Sequence, residues 1–388
     1  MEHTNIDTNN KNINNNTNKK KKVVVGLSGG VDSAVAVILL QEQGYEVEGM
    51  FMRNWDSLMN NDVLGNPHTL DSVCPQEVDY MDAVKVSEQL GIKLHRVDFV
   101  LEYWDRVFSY FLEEYKNYRT PNPDILCNKE IKFKAFLEKA MEMGYDYIAM
   151  GHYARITHDP LKLYKGLDNN KDQTYFLSQL SKKQLEKALF PIGHLTKKEV
   201  REIALKHGLE VAKKKDSTGV CFIGERNFKQ FLENYLPAQK GNMETLDGEV
   251  VGTHDGIMYY TIGQRHGLGL GGEGDPWFVL GKDVKRNVLL VGRGGNNEYL
   301  YSNRCIVSKI NWLGEDFDER DINVKFRYRS QDIPAHIKNL KDGRFEIFYP
   351  QMFKAVTPGQ AAVFYDGEEM LGGSTIDEVF MNDEKRRY

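Results

Sequence analysis

Residues 28–33 read "SGGVDS", set between a β-branched run and an apolar segment of helical length in "VVVGLSGGVDSAVAVILLQEQG" (23–44). Small residues at a strand-to-helix turn let backbone N–H groups approach an anion at the positive end of a helix. A Walker A loop would carry a lysine that reaches the β and γ phosphates. Here Ala34 and Val35 follow instead, so cleavage at the γ phosphate loses its main support. Transfer of AMP, by cleavage between the α and β phosphates, remains open to such a cradle. A turn without a ligand would use the glycines, but it has no use for Ser28, Asp32 and Ser33 together.

The four cysteines, Cys74, Cys127, Cys221 and Cys305, lie far apart with no CxxC pair, which excludes a zinc knuckle and a secreted disulfide scaffold. Cys127 follows "NPDIL" and Cys221 sits in "STGVCFIG", both read as turn-forming loops, with Lys129 near one and Lys213–Lys215 near the other. Neighbouring cations lower a thiol pKa. Cys74 and Cys305 read as structural. The ten histidines show no metal-ligand spacing, so no protein-held metal is expected, and His152 in "GHYAR" is expected to hydrogen-bond near a bound nucleotide.

The elements that must position these residues form an α/β pattern. Strand-like runs at 23–27, 45–52, 92–98 and 145–150 alternate with helical segments at 31–42, 77–90, 100–117 and 129–143, the pattern of a parallel sheet with crossover helices. Phe99, Tyr103, Val107, Phe111 and Tyr115 step by four and form a core face. Residues 171–237 read as mostly helical and basic. From about 240 onward, short β-branched segments between glycine turns point to two small, mainly β domains. The expected divisions are a disordered tail over 1–22, a catalytic domain with a helical extension over 23–225, a central β-rich domain over 226–299, a β-barrel-like domain over 300–380 and a tail over 381–388.

A chain of 388 residues with 41% hydrophobic and 28% charged residues fits a multidomain soluble protein, and no apolar run approaches the roughly 18 residues of a membrane span. The asparagine- and lysine-rich start lacks a secretory core; its Glu2, its Asp7 and its lack of arginine argue against a mitochondrial presequence, so the cytoplasm is expected. The net charge of −5 gives no general attraction to nucleic acid, although a local basic patch is compatible with it.

The hexapeptide "SGGVDS" resembles the PP-loop of ATP pyrophosphatases. Further stretches, "RTPNPDILCNKEIKFK" (119–134), "GHYAR" (151–155), "GLDNNKDQTYFL" (166–177), "KKKDSTGVCFIGERNF" (213–228) and "YTIGQRHGLGLGG" (260–272), make the chain similar to the tRNA-specific 2-thiouridylase family from about residue 23 to 376. The resemblance implies insertion of sulfur at C2 of the wobble uridine of tRNA, using ATP with its Mg²⁺ and a persulfide supplied by a sulfur-relay donor protein. It assigns Gly26, Leu27, Ser28, Gly29, Gly30, Val31, Asp32 and Ser33 to the ATP phosphates, and Met52 and Gly151 to the nucleotide site. Cys221 would carry the persulfide and Cys127 complete the transfer, the two ending a turnover as a disulfide. Asp124 would be a general acid or base, although "NPD" is also a good turn by itself. Asn122, Pro123 and Asp124, with Lys171, Asp172 and Gln173, would meet the target uridine region, and Arg327 and Tyr328 would add a further tRNA contact. A basic surface of Lys171, Lys213, Lys214, Lys215 and Arg327 is expected, on a monomer. The long stretch "NWDSLMNNDVLGNPHTLDSV" (54–73) is expected to order only with a partner. Two other readings stay open: a PP-loop ligase or amidotransferase acting on a small metabolite, and an RNA-binding protein without catalysis.

The loop without a Walker lysine predicts AMP and pyrophosphate as products of a tRNA-dependent assay. Formation of ADP and phosphate would contradict it, and Asp32→Ala should abolish turnover while leaving the circular dichroism spectrum unchanged.

Overall fold

A computed structural model describes residues 20–68, 75–215, 223–224 and 226–388. Cys74, Cys221 and most of the N-terminal tract lie outside the described residues. The N-terminal half is built on a five-stranded parallel sheet of β1 (Lys22–Gly26), β2 (Glu46–Arg53), β3 (Leu94–Asp98), β4 (Tyr147–Ala149) and β7 (Ala188–Leu189), in the order β3-β2-β1-β4-β7. The first strand starts at Lys22, whose backbone N–H donates to Asp146 (2.8 Å), so the expected tail overran the sheet by one residue.

One face is covered by α1 (Val31–Glu42), with Ala34, Val35 and Val37 fully buried against Val200 and Ala204 of α9 (Lys197–Lys206). The other face takes a continuous helical run over 100–116 in which Trp104–Phe108 is wound as a π-helix. The expected aromatic series lies on it, from Phe99 to Tyr115, all buried. A step of four drifts round an α-helix of 3.6 residues per turn, and the wider π turn resets that drift so that one face stays inward.

The stretch over 171–237 is less helical than its sequence suggests. In "SKKQLEKAL" the helix α8 (Lys182–Leu185) ends after one turn, and Ala188 pairs with Ile148 as the edge of the sheet. α10 (Phe228–Glu233) packs Phe231 against Trp55 and Phe108 of the first domain.

The central domain is a sheet ordered β10 (Trp277–Asp283), β11 (Val288–Arg293), β8 (Gly241–Glu244), β9 (Val250–His254). The last domain is a barrel. β12 (Tyr301–Trp312), β15 (Phe345–Lys354), β14 (Ile333–Asn339), β13 (Glu319–Lys325), β16 (Ala361–Asp366) and β17 (Glu369–Met381) pair in sequence round the ring, and β17 closes back on β12. A hairpin from the N-terminal half, β5 (Ala154–His158) and β6 (Leu161–Lys165), adds to β17.

The expected C-terminal tail is packed in place. Glu384–Lys385 pairs with β17, and the buried Arg386 donates to the carbonyls of Tyr301 and Glu298. Arg387 accepts from the Lys282 N–H on β10 (2.7 Å). The Lys282 side chain is itself buried, its Nζ donating to the Tyr118 carbonyl (2.8 Å).

Burial brings the Lys282 ammonium down to about 7. Below that pH both folded and unfolded chains carry the proton and the burial cost is felt in full. Between there and the ordinary lysine value the unfolded chain holds a proton that the folded one lacks, so this group makes stability rise with pH. Lys282→Met should therefore gain most over the parent protein at pH 6.5, and urea unfolding at pH 9 should show that relative gain reduced by about 1–3 kcal/mol.

Candidate active site

The sheet order reverses between β1 and β4, and the crevice outside such a switch point is where open α/β sheets place ligands. Gly26 ends β1 and Gly151 follows β4 at this point. Between them the loop folds on itself: the Ser28 N–H donates to Ser33 Oγ (3.2 Å), which donates to the Gly30 carbonyl (3.1 Å). Gly30 caps α1 without a side-chain hydrogen bond, leaving the first N–H groups of the helix to an anion. Two glycines are required by geometry. Gly29 has φ +71° and abuts the Asp79 carbonyl, and a Cβ on Gly151 would lie 2.8 Å from Ser33 N. The buried Met52 and Met150 wedge against Gly26, where a Cβ would lie 2.6 Å from Met150 Sδ.

Asp32, in the first turn of α1, accepts from the Tyr153 hydroxyl (2.8 Å) and, with both oxygens, from Lys197 Nζ (2.8 Å each). Tyr153 is held in turn by Gln173, whose Oε1 accepts from its N–H (3.0 Å) and whose N–H donates to its carbonyl (2.9 Å). Lys214 Nζ donates to the Gly29 carbonyl (3.2 Å) and to Asp79 and Asp82 on α2 (Pro75–Gln89; 2.9 and 2.8 Å). Burial opposes the charge on Lys214, but the carboxylates of Asp82 and Asp79 outweigh it and hold the ammonium above its ordinary value. Lysines absent from the loop itself thus reach it from distant segments. Sequence reasoning missed Lys197, Tyr153, Asp79 and Asp82 as parts of this site. The local signals were the "GHYAR" stretch, which contains Tyr153, and the capping box Thr196/Glu199 that starts α9.

Two buried polar atoms lie at the carboxyl ends of the strands without a partner among the described residues, Asn54 Oδ1 after β2 and His152 Nδ1 after β4. Burial and the nearby Lys132 charge push His152 well below the ordinary imidazole value, so it is neutral. Polar atoms of this kind at the strand ends, together with the first N–H groups of α1, suit a polar nucleotide. Among the described residues no three His, Cys, Asp or Glu side chains group to hold a metal ion.

A second part of the site begins at Asn122, which caps α5 (Pro123–Cys127) by accepting from the Ile125 N–H (3.2 Å), with Pro123 at the first helical position. The run continues through a π-helical Asn128–Ala135 to Glu142. Cys127 is therefore in a helix and fully buried, where a loop was expected. Asn122, Pro123 and Asp124 line a cleft of about 380 Å³ whose other walls include Tyr115, Gly224 and Arg226. Gly224 stands three residues after Cys221 in the chain.

Both β domains grip the loop that leads into this helix. The Thr120 N–H donates to Pro358 O (3.0 Å), and Gln360 Nε2 donates to the Thr120 and Pro121 carbonyls (2.9 and 3.1 Å). Arg119 spans Glu114 (2.7 Å) and Asp377 (2.9 Å), and Thr120 Oγ1 meets Thr261 Oγ1 (3.3 Å). The Tyr175 hydroxyl faces the Phe326 and Ala361 carbonyls (3.3 Å each) and feels both the Arg327 charge and the Asn122 side chain, which brings Asn122 and Arg327 to one place. Arg327 keeps surface exposure while Nη2 donates to Ala355 O (3.0 Å). Tyr328 packs its ring on Phe176, 4.5 Å between centroids.

Two expected surface residues turn inward. Asp172 is buried, accepting from Gly166 N (3.1 Å), Thr174 N (3.2 Å) and Thr174 Oγ1 (2.8 Å) and pairing with Lys325 (3.5 Å), because its carboxylate closes the turn onto the barrel. Lys214 is committed to Gly29, Asp79 and Asp82, so the expected basic surface reduces to the exposed Lys213 and Lys215 with Lys171 and Arg327. Cys305 is a core residue of β12, its thiol pushed far up by burial.

A parallel sheet with an anion cradle at its switch point, followed by two β domains, defines a PP-loop nucleotide-binding protein with accessory β modules. Family profiles agree with that division: "tRNA methyl transferase HUP domain" matches residues 21–225, "tRNA methyl transferase PRC-barrel domain" 229–293, and "Aminomethyltransferase beta-barrel domain" 302–376. The tRNA-specific 2-thiouridylase MnmA of Lysinibacillus sphaericus (strain C3-41) is 58% identical over 371 residues, covering 94% of this chain and 96% of the relative. That of Geobacillus thermodenitrificans (strain NG80-2) is also 58% identical, over 94% and 97%, and that of Bacillus cytotoxicus 54%. The chain belongs to the tRNA-specific 2-thiouridylase family.

Gly151 offers a direct test of the cradle. Gly151→Ala forces a methyl group against the backbone of the first turn of α1, and since a displacement of about 1 Å can cost about 10²-fold in rate, ATP–pyrophosphate exchange should fall by about that factor while tRNA binding, read by filter retention, persists.

Proposed function

We propose that this protein is an ATP-dependent tRNA-uridine 2-sulfurtransferase that converts the wobble uridine to 2-thiouridine, with AMP and pyrophosphate as by-products. The observation that carries the reading is the cleft in which Asn122, Pro123 and Asp124, at the head of the helix that buries Cys127, face the segment that follows Cys221 in the chain. A ligase acting on a small metabolite needs neither cysteine nor a reacting loop gripped by two β domains.

The cradle formed by Gly26–Ser33 holds the phosphates of ATP, which brings Mg²⁺ with it, since that ion prefers phosphate oxygens and few protein ligands. Met52 and Gly151 shape the nucleotide side, while Lys197 and Lys214 fix Asp32 and Gly29 in register with it. Adenylation of the C2 oxygen makes AMP the leaving group. Asp124, which lines the cleft, moves a proton at the base in this reading. The uridine must leave its stack to reach a pocket of this kind, and the polar head of α5 with Arg327 and Tyr328 supplies hydrogen bonds, charge and a ring for stacking. Lys171, Asp172 and Gln173 lie in the turn between these parts; with the Asp172 carboxylate turned inward, contact with tRNA there falls to Lys171 and the backbone.

The sulfur arrives on Cys221 as a persulfide from a donor protein, at the oxidation level of a disulfide, and leaves as a thiocarbonyl, so two electrons must be supplied. Cys127 supplies them in either of two ways. Its thiolate attacks the Cys221 sulfur to release sulfide, which displaces AMP from C2; or the terminal persulfide sulfur displaces AMP first and Cys127 then resolves the adduct. Both routes end with a Cys127–Cys221 disulfide, which an external thiol must reduce.

Without reductant the protein should perform about one turnover per chain, as exchange kinetics of this kind require, and peptide mapping should then find the Cys127–Cys221 link. A Cys127→Ser variant that turns over repeatedly at the parent rate would remove Cys127 from the reaction.

A further inference from the structure

Lys282 is a buried amine that the reaction described above does not use. It stands on β10, the edge strand of the central sheet, and ties together different parts of the molecule. Its backbone N–H donates to Arg387 O (2.7 Å), and the chain end that offers this carbonyl is fastened beside the start of β12 by Arg386, whose Nη2 donates to the carbonyls of Glu298 and Tyr301 (3.2 and 3.1 Å). Gly281 lets the chain end come so close: a Cβ there would lie 2.5 Å from Arg387 O. The Lys282 side chain reaches instead to Tyr118 O (2.8 Å), at the head of the loop that leads into α5.

Tyr118 sits where helices usually place glycine. The helical run over 100–116 closes with Arg119 N on Glu114 O and Tyr118 N on Tyr115 O (2.9 Å each), the hydrogen-bond pair of a Schellman cap. The turn residue of such a cap is left-handed, and Tyr118, with φ +61°, takes that conformation against the preference of its side chain. Relaxed to a right-handed conformation, it would prolong the helix and send residues 119–122 in another direction. The direction of the Tyr118 carbonyl depends on the same backbone torsions, so the amine that holds the carbonyl also holds the turn. Four residues on, Asn122 caps α5, and Asp124 and Cys127 follow on that helix.

Packing does not account for a lysine at this place. Among the described residues it pairs with no carboxylate, and burial alone brings its ammonium down to about 7. A methionine would fill similar space without that cost, and residues kept at the expense of stability are characteristic of functional sites. We infer that Lys282 is a positioning residue for the reaction: by holding the Tyr118 carbonyl it keeps Tyr118 left-handed and so aims the segment that carries Asn122, Asp124 and Cys127. The inference rests on the reading of α5 as the reacting helix.

Stability and activity should then move in opposite directions. At pH 7 Lys282→Met keeps or raises the thermal midpoint, yet lowers single-turnover thiolation of tRNA by about tenfold or more, as a misplacement of about 1 Å would. ATP affinity, measured by calorimetry, stays within about twofold of the parent, because the phosphate cradle is remote from Lys282. Tyr118→Gly removes the strain that the lysine restrains, so in that background Lys282→Met costs less than about threefold. Lys282→Leu removes the same donor and carries the test if the methionine variant does not fold. A parent rate without the amine, a rate that falls only together with the midpoint, or an equal loss in the Tyr118→Gly background overturns the proposal. Cys127→Ser is the separate control: if it thiolates at the parent rate, the reading of α5 as the reacting helix fails, whatever the Lys282 variants do.

Discussion

The nucleotide side of this protein depends on the closeness of two chain segments at the carboxyl ends of β1 and β4. Gly151 lies so near the first turn of α1 that no side chain fits between them. That approach sets the position of the helix terminus from which the N–H groups point. The next residues along the strand exit then act on it: His152 offers a neutral ring nitrogen without a partner among the described residues, and Tyr153 bonds Asp32. Moving one of these parts moves the others, because they are consecutive residues on one strand exit.

The two β domains have a clear mechanical role. Residues 117–122 connect a helix packed on the sheet to the helix that carries Cys127, and a free loop at that place would blur the distance between cysteine and cleft. Instead Thr120 is bonded to Pro358, Gln360 and Thr261, Arg119 to Asp377, and Tyr118 to the buried Lys282. Rigid scaffolds commonly position reactive loops in this way. The Lys282 backbone on β10 also holds the end of the chain, through Arg387.

The first half of the chain was legible because its signals are local. Val23–Val25, the small-residue turn and the apolar run of α1 announce a strand, a cradle and a helix in direct succession. Where tertiary pairing overrides propensity, the reading failed. Ala188–Leu189 continues a helical pattern, yet two hydrogen-bonded residues beside β4 are enough to make it a strand. Cys127 was misplaced for a different reason: Asn122-Pro123 is a helix-start signature, cap and first position, as well as a turn signature. Lys197 was not assigned at all, and Lys214 was assigned to a basic surface instead of the loop. They meet Asp32 and Gly29 across 165 and 185 residues of chain, and no local pattern records such a contact.

The hairpin of β5 and β6 gives the molecule an order of assembly. Its outer partner is β17, where Met370 pairs with Leu163 and Glu369 with Tyr164, so the ribosome makes one half of this pairing about 200 residues before the other. At usual rates of synthesis the β6 edge waits roughly 10–40 s for its neighbour, and an open strand edge is a template for the wrong one. Charged side chains are a common defence of such an edge. Lys162 and Lys165 stand on it, and in the finished protein they are taken up by Glu369 and Asp332 of the barrel. The charges that guard the nascent chain against mispairing thus become the ties that hold its last domain to its first.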